Sequence, residues 1–112
     1  MPDCIFCSIV SGDIPANIVL RTPEVVAFTD LNPQAPTHIL VIPTEHHENG
    51  AALAKDNPVQ AAAVLVATQK VAAEAGLSDY RTVFNTGAEA GQSVFHAHAH
   101  VLGGRNLGWP PG

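Results

Sequence analysis

Phe95-His96-Ala97-His98-Ala99-His100-Val101-Leu102 sets three histidines in alternate positions. In an extended strand alternate side chains share a face, so the three imidazoles project together. They are half of the six histidines in the chain. Alternation ordinarily sends apolar residues to the core and soluble ones to water. Here the polar face is imidazole alone, with no Lys, Glu or Thr mixed in, which a merely solvated strand does not need. Three chemistries suit such a face. The imidazoles can converge on zinc, because same-face side chains on one strand start roughly 6–7 Å apart. A neutral imidazole can attack phosphorus while its neighbours move protons and stabilise charge. The face can also form a non-catalytic anion pocket. Spacing alone leaves all three open.

Cys4-Ile5-Phe6-Cys7 is the second group with chemistry in it. A redox dithiol of this spacing usually follows a strand and opens a helix, and only Met1-Pro2-Asp3 precede it. Half of a zinc site, completed by histidines elsewhere, is the leading reading, ahead of two core cysteines. Candidate partners stand in Thr44-Glu45-His46-His47-Glu48-Asn49-Gly50, although that composition ordinarily means a solvated turn. His38, alone at the head of an apolar run, ordinarily has a structural role.

The elements that must position these groups follow from pattern. Cys4 to Val10 suits a short helix, stopped by Ser11-Gly12-Asp13 and Ile14-Pro15. Ile18–Arg21 and Val25–Thr29 read as a hairpin turning at Thr22-Pro23-Glu24. Asp30 to Pro36 is a loop, and His38–Ile42 is a strand whose continuous apolar run predicts burial on both faces. Asn57 as N-cap and Pro58 at the first turn start a long helix that runs to about Ala75, with Gly76 as its stop. That helix is apolar around most of its circumference, which predicts cover on one face by the sheet and on another by a partner subunit. Tyr80–Asn85 is a fourth strand, and the histidine segment a fifth. Between them, Gly91 allows close approach of backbone to a ligand, while Gln92 and Ser93 add donors. The tail Asn106-Leu107-Gly108-Trp109-Pro110-Pro111-Gly112 carries the only Trp, whose indole argues that the tail is docked. The expected fold is α+β: an antiparallel sheet of about five strands, one long helix and a short N-terminal helix, in a single domain over residues 1–112.

Composition narrows the partners. With 112 residues, 46% of them hydrophobic and only 13% charged, the chain has much apolar surface to cover, which favours an oligomer. A net charge of −5 opposes polynucleotide backbones, so broad DNA or RNA binding is not expected. Neither a secretion signal nor a membrane span is expected: Met1-Pro2-Asp3 has no basic residue, and Pro58 to Ala75 is interrupted by Gln60, Gln69, Lys70 and Glu74. Cys-x-x-Cys as thiols or metal ligands fits a cytoplasmic protein.

His96-Ala97-His98-Ala99-His100-Val101-Leu102 satisfies His-φ-His-φ-His-φ-φ at every position. Together with Ile14-Pro15-Ala16, Asp30 to His38, Val41-Ile42-Pro43, Gly91-Gln92-Ser93-Val94-Phe95, Gly103-Gly104-Arg105 and Trp109-Pro110-Pro111-Gly112, it resembles the histidine triad (HIT) superfamily over almost its full length. The last two stretches resemble the Hint branch rather than the dinucleoside-polyphosphate hydrolases. The resemblance implies a HIT-like fold and hydrolysis of purine nucleoside 5′-phosphoramidates. His98 then matches the nucleophile, and the His96 carbonyl would hold its other nitrogen as a donor. His100 matches the residue beside the phosphate oxygens and leaving group, and His38 the fourth active-site histidine. Ser93 and Asn85 match phosphate or leaving-group contacts, beside Gly91 and Gln92. Asp30 matches the ribose-binding carboxylate. Phe6, Ile9, Ile14, Phe28 and Leu31 match the apolar base pocket.

The resemblance also implies a closed, structural zinc held by Cys4, Cys7, His46 and His96, which the chemistry itself would not require. His46 rather than His47 meets the family spacing Pro-x-x-His from Pro43. It implies a homodimer in which two sheets join, the long helix and C-terminal region form much of the contact, and Trp109 approaches the partner's site. The alternatives are dinucleoside polyphosphate hydrolysis or nucleotidyl transfer, a nucleotide-binding interaction module, and a purely zinc-structural protein. The last leaves His98, His100 and Asp30 without a purpose.

Overall fold

The computed structural model describes residues 4–112. Met1, Pro2 and Asp3, on which the expectation of no basic leader partly rests, lie outside the described residues. The elements are α1 (Ile5–Ser11), β1 (Ile18–Arg21), β2 (Val25–Thr29), β3 (Thr37–Pro43), α2 (Gly50–Asp56), α3 (Pro58–Glu74), β4 (Tyr80–Val83) and β5 (Ala99–Gly103), with a 3₁₀ turn at Ala88–Ala90. The five strands form one sheet in the order β1-β2-β3-β5-β4, each antiparallel to its neighbours.

β3 lies at the centre, and its alternation builds two cores. Ile39 and Val41 join Val25, Ala27, Ala99 and Val101 beneath α3, which contributes Val64, Ala67, Val71 and Ala72. Val64, Ala67 and Val71 recur at three- and four-residue spacing, with Ala72 adjoining, so they form one stripe of the helix. Leu40 and Ile42 face the other way and join Val26, Phe28, Phe6 and Ile9. α1 caps that second face. The expected burial of β3 on both sides is therefore met.

α3 begins as expected: Asn57 Oδ1 accepts the Gln60 N–H at 3.1 Å. It ends at Glu74, just before Gly76 takes φ +77°. Asn85 falls outside β4, which ends at Val83. α2 is an addition to the expected elements. Asn49 caps it by accepting the Ala52 N–H at 2.8 Å, and Leu53 buries its side chain. The signal was present in Asn49 followed by Ala51-Ala52-Leu53-Ala54, a stretch that the solvated turn expected over residues 44–50 left without an element.

The histidine segment is only partly strand. β5 starts at Ala99, the last residue paired with β3, opposite Val41. Continuing the register would place Ala97 opposite Pro43, which has no N–H to offer. Ala97 N–H instead donates to the His47 carbonyl at 2.7 Å. Side-chain alternation survives this departure: Ala97, Ala99 and Val101 enter the α3 core, while the histidines face α1.

The tail is held by its backbone rather than its indole. Arg81 donates to the Gly108 carbonyl at 2.8 Å, and Trp109 remains 82% exposed. Among the described residues no helix is long and apolar enough to cross a membrane.

Candidate active site

β5, the segment before it and the start of β3 bring four imidazoles to the α1 face; backbone contacts set the proton position on three of them, and the His38 ring sets that of His100. His98 Nδ1 donates to the His96 carbonyl at 2.7 Å, leaving a lone pair on Nε2. His96 Nε2 donates to the Pro43 carbonyl at 2.9 Å, leaving its lone pair on Nδ1. Two successive triad members thus present opposite nitrogens, and the two suit different tasks.

His38 joins the site rather than having only the structural role its position suggested. Its Nδ1 accepts the Gln34 N–H at 3.0 Å, which puts its own proton on Nε2. That Nε2 lies 2.9 Å from His100 Nδ1 and 3.5 Å from Asp30 Oδ2. The shorter contact is the hydrogen bond. His100 then carries its proton on Nε2. The ring centroids of His98 and His100 are 4.9 Å apart. Asp30, His38 and His100 also form a trio of the kind that can ligate a metal. With its proton on Nε2, His38 joins the trio as a hydrogen-bond chain to His100.

All three triad histidines are pushed towards the neutral form. Burial is the main cause for His98, partly opposed by its bond to the His96 carbonyl. Burial, then the neighbouring His98 and His38, brings His100 down to about 4. Burial likewise brings His96 to about 4. A neutral ring with a free lone pair is a nucleophile, and a neutral ring with an N–H is a donor.

Phe6 sets the α1 side of the site. Its ring meets His98 edge-on at 5.1 Å and Phe28 at 5.5 Å. A cavity of about 260 Å³ opens beside it. Phe6, Ile9, Ile14, Phe28 and Leu31 all line that cavity, and Asp30 stands at its wall. The six residues that the family resemblance assigned to base and ribose are therefore gathered in one cleft. Leu31 is at its rim, 97% exposed. Asp30 shapes the loop below by accepting the Asn32 N–H at 2.8 Å.

The loop before the triad is built differently from the expectation. Gln92 is buried and its side chain is fully used on backbone: Oε1 accepts Gly87 N–H at 2.9 Å, while Nε2 donates to the Glu48 and Val94 carbonyls at 2.8 and 3.0 Å. It anchors the loop and is not a free donor for a ligand. Gly91 takes φ +101° beside the Asn85 amide. Ser93 is exposed, and neither Ser93 nor Asn85 is bonded to a histidine.

The second centre lies beside the first. Cys4, Cys7, His46 and His96 each offer one ligand atom, all within 4.8 Å of one another. Cys4 Sγ and Cys7 Sγ lie 3.4 and 3.5 Å from His96 Nδ1, Cys7 Sγ lies 3.4 Å from His46 Nδ1, and the two Nδ1 atoms are 3.2 Å apart. Around a tetrahedral ion at zinc's bond lengths, S···N and N···N separations are about 3.6 and 3.3 Å. The donor set fits such an ion, and the His96 lone pair is already directed by Pro43. Cys4 Sγ also accepts the Cys7 N–H at 3.3 Å, capping α1. Both thiols are free. Burial, then the Cys4 thiol, raises Cys7 above its ordinary value; a bound cation reverses that pressure. The stretch expected to be a solvated turn thus supplies His46 to this cluster, and it also buries His47.

Residues 11–107 match the HIT domain. The chain belongs to the HIT domain family. It is 45% identical to an uncharacterized HIT-like protein of Synechococcus elongatus over 111 residues, covering 98% of this chain and 97% of that one. It is also 45% identical to a 14 kDa zinc-binding protein of Zea mays, covering 96% and 87% of the two chains. Among solved structures, a HIT family hydrolase from Legionella pneumophila superposes with TM-score 0.93 at 44% identity, covering 98% of this chain and 100% of that one. A HIT family hydrolase from Clostridium thermocellum gives TM-score 0.92 at 38% identity, covering 96% of each. The α+β fold is the HIT fold, and the members named as hydrolases point to an enzyme. Gln34, missed in sequence, acts through a backbone N–H, for which the sequence holds no side-chain signal.

Proposed function

We propose that this HIT protein is of the Hint type and hydrolyses the P–N bond of purine nucleoside 5′-phosphoramidates, such as AMP linked to an amine or to lysine. The observation that carries the reading is the 2.7 Å bond from His98 Nδ1 to the His96 carbonyl, which leaves Nε2 as an unprotonated nucleophile next to the apolar cleft. In this reading the base enters the cleft between Phe6, Ile9, Ile14 and Phe28, and Asp30 accepts hydrogen bonds from the ribose hydroxyls. His98 Nε2 attacks the α-phosphorus. The P–N bond breaks, and the nitrogen takes its electron pair and a proton to leave as the amine. His100, with its proton on Nε2 and its ring centroid 4.9 Å from that of His98, would offer an N–H to the departing nitrogen in this reading. Water then attacks the nucleotidyl-histidine: its oxygen goes to phosphorus, its proton replaces the one the amine took, and the bond to His98 breaks with its electron pair returning to Nε2, giving nucleoside monophosphate and neutral His98. Two easier displacements replace one difficult one. With no Lys or Arg in residues 91–103, imidazole and backbone donors must stabilise the phosphoryl charge, at about 3 kcal/mol per well-placed donor.

Cys4, Cys7, His46 and His96 would hold one structural zinc, which ties α1 to the triad and contributes no step. The Zea mays relative's name supports this reading, as does the match of spacings. We place the protein in the cytosol, where free Cys-x-x-Cys thiols persist as metal ligands. The working unit in this reading is a homodimer. α3 leaves Val59, Leu65 and Val66 exposed at 74, 59 and 60%. β4 is an open sheet edge with Tyr80 and the following Phe84 part-exposed beside it.

The test is turnover of an adenosine phosphoramidate by the wild type and by His98→Ala. The expected result is a loss of several orders of magnitude in kcat with AMP binding retained. Equal slow rates in both proteins would refute the hydrolase reading and favour a nucleotide-binding module. Faster cleavage of a dinucleoside polyphosphate would favour the other branch.

A further inference from the structure

His38 takes its orientation from a loop that is itself held from outside the site. The Gln34 N–H can only donate, so its 3.0 Å contact with His38 Nδ1 demands a lone pair there. The proton on His38 Nε2 then goes to His100 Nδ1, 2.9 Å away, and decides which His100 nitrogen carries hydrogen. The carbonyl of the same Gln34 accepts from Arg105 Nε at 3.0 Å, while Arg105 Nη1 holds the Asn106 carbonyl at 2.9 Å. Gly104, at φ +91°, lies so close to the same loop that an added Cβ would meet Pro36 Cβ at 2.9 Å. The two residues that follow β5 therefore grip the loop at its middle and at its end. The loop is further tied by Gln34 Nε2 to the Asn32 carbonyl at 3.0 Å, by Asn32 N–H to Asp30 at 2.8 Å and, at its root on β3, by Asp30 N–H to the His38 carbonyl at 2.9 Å.

We propose that Arg105 is a positioning residue: by holding Gln34 it fixes the tautomers of His38 and His100, and so the N–H that the reaction uses. The kinetic part rests on the hydrolase reading; the tautomer part does not. If Gln34 is released, His38 can take its proton on Nδ1 and offer Nε2 as an acceptor. His100 then keeps its proton on Nδ1 and turns a lone pair towards the phosphoryl group. That arrangement has no proton for the departing amine, so the defect falls on kcat rather than KM.

Arg105→Ala and Arg105→Lys test this in the full chain. In ¹⁵N-histidine spectra the wild type should show His38 as one Nε2–H tautomer, and Arg105→Ala a mixture. On the phosphoramidate, Arg105→Ala should lower kcat about five- to tenfold with KM within about twofold, and Arg105→Lys, which keeps a donor, should recover most of that loss. Arg105→Gln replaces the alanine variant if that one does not fold. An unchanged His38 tautomer in Arg105→Ala overturns the proposal whatever the rate does. A changed tautomer with unchanged kcat overturns the catalytic part. Absence of turnover in the wild type defeats the hydrolase reading alone, and the spectra still decide the rest.

Discussion

Replacing Cys7 with serine tests the metal reading where it bears most weight. Cys7 Sγ reaches His46 and His96, 39 and 89 positions away, so an ion held there cross-links distant parts of the chain. Closing a span of that length is worth about 4–5 kcal/mol of chain entropy. A chain of 112 residues has an unfolding entropy of about 0.24 kcal/mol/K, so losing the cross-link lowers Tm by roughly 20 °C. The rate should suffer far less. His98 is held by the backbone carbonyl of His96, and the His96 ring keeps its own bond to Pro43. The assay is calorimetry on wild type, chelator-treated wild type and Cys7→Ser, beside metal analysis of reduced protein and turnover measured well below each Tm. The expected result is one zinc per wild-type chain, a similar fall in Tm in the other two samples, and kcat within about threefold. A wild type without zinc, or a Cys7→Ser protein melting within about 3 °C of it, would show that the ligand geometry does not hold an ion.

Further outcomes follow from the same geometry. Burial lowers the pKa of His98 and His100, so the nucleophile and its neighbour remain neutral as pH falls; the acid limb of kcat/KM should lie below the ordinary imidazole value, and a limb at or above that value contradicts the assignment. The unfolded chain binds more protons than the folded one between about 4, where His100 titrates, and its ordinary value of 6.5, so Tm should fall as pH is lowered through that window. Asp30→Asn should collapse the preference for ribose over 2′-deoxyribose substrates, a ratio of about 10–100 for a charge-assisted bond; an unchanged ratio removes Asp30 from the ribose. Leu65→Glu on the exposed face of α3 should convert dimer to monomer in sedimentation, and a monomeric wild type would refute the dimer.

The alternation His96, His98, His100 already fixed which side chains share a face, because a period of two survives even where strand pairing stops. The buried run of β3, the Asn57-Pro58 start of α3 and the Cys-x-x-Cys pair were equally local, each legible from residue type and spacing. The division of the triad into two tasks was different. From residues alone, three imidazoles on one face served a metal, a nucleophile or an anion pocket equally well; only the family resemblance separated them. In the structure the division comes from two carbonyls: Pro43, on β3, turns the His96 lone pair towards Cys4, Cys7 and His46, while the His96 carbonyl leaves the His98 lone pair on Nε2. Neither carbonyl has a sequence signature, since every residue carries one. The same holds for the Gln34 N–H that directs His38. Gln92 marks the limit from the other side: its type suggested a ligand donor, and three backbone partners brought together by folding left it none to give. Residue types chose the chemistry available to this chain, and backbone groups from distant segments, aligned only by the tertiary fold, decided where each proton sits.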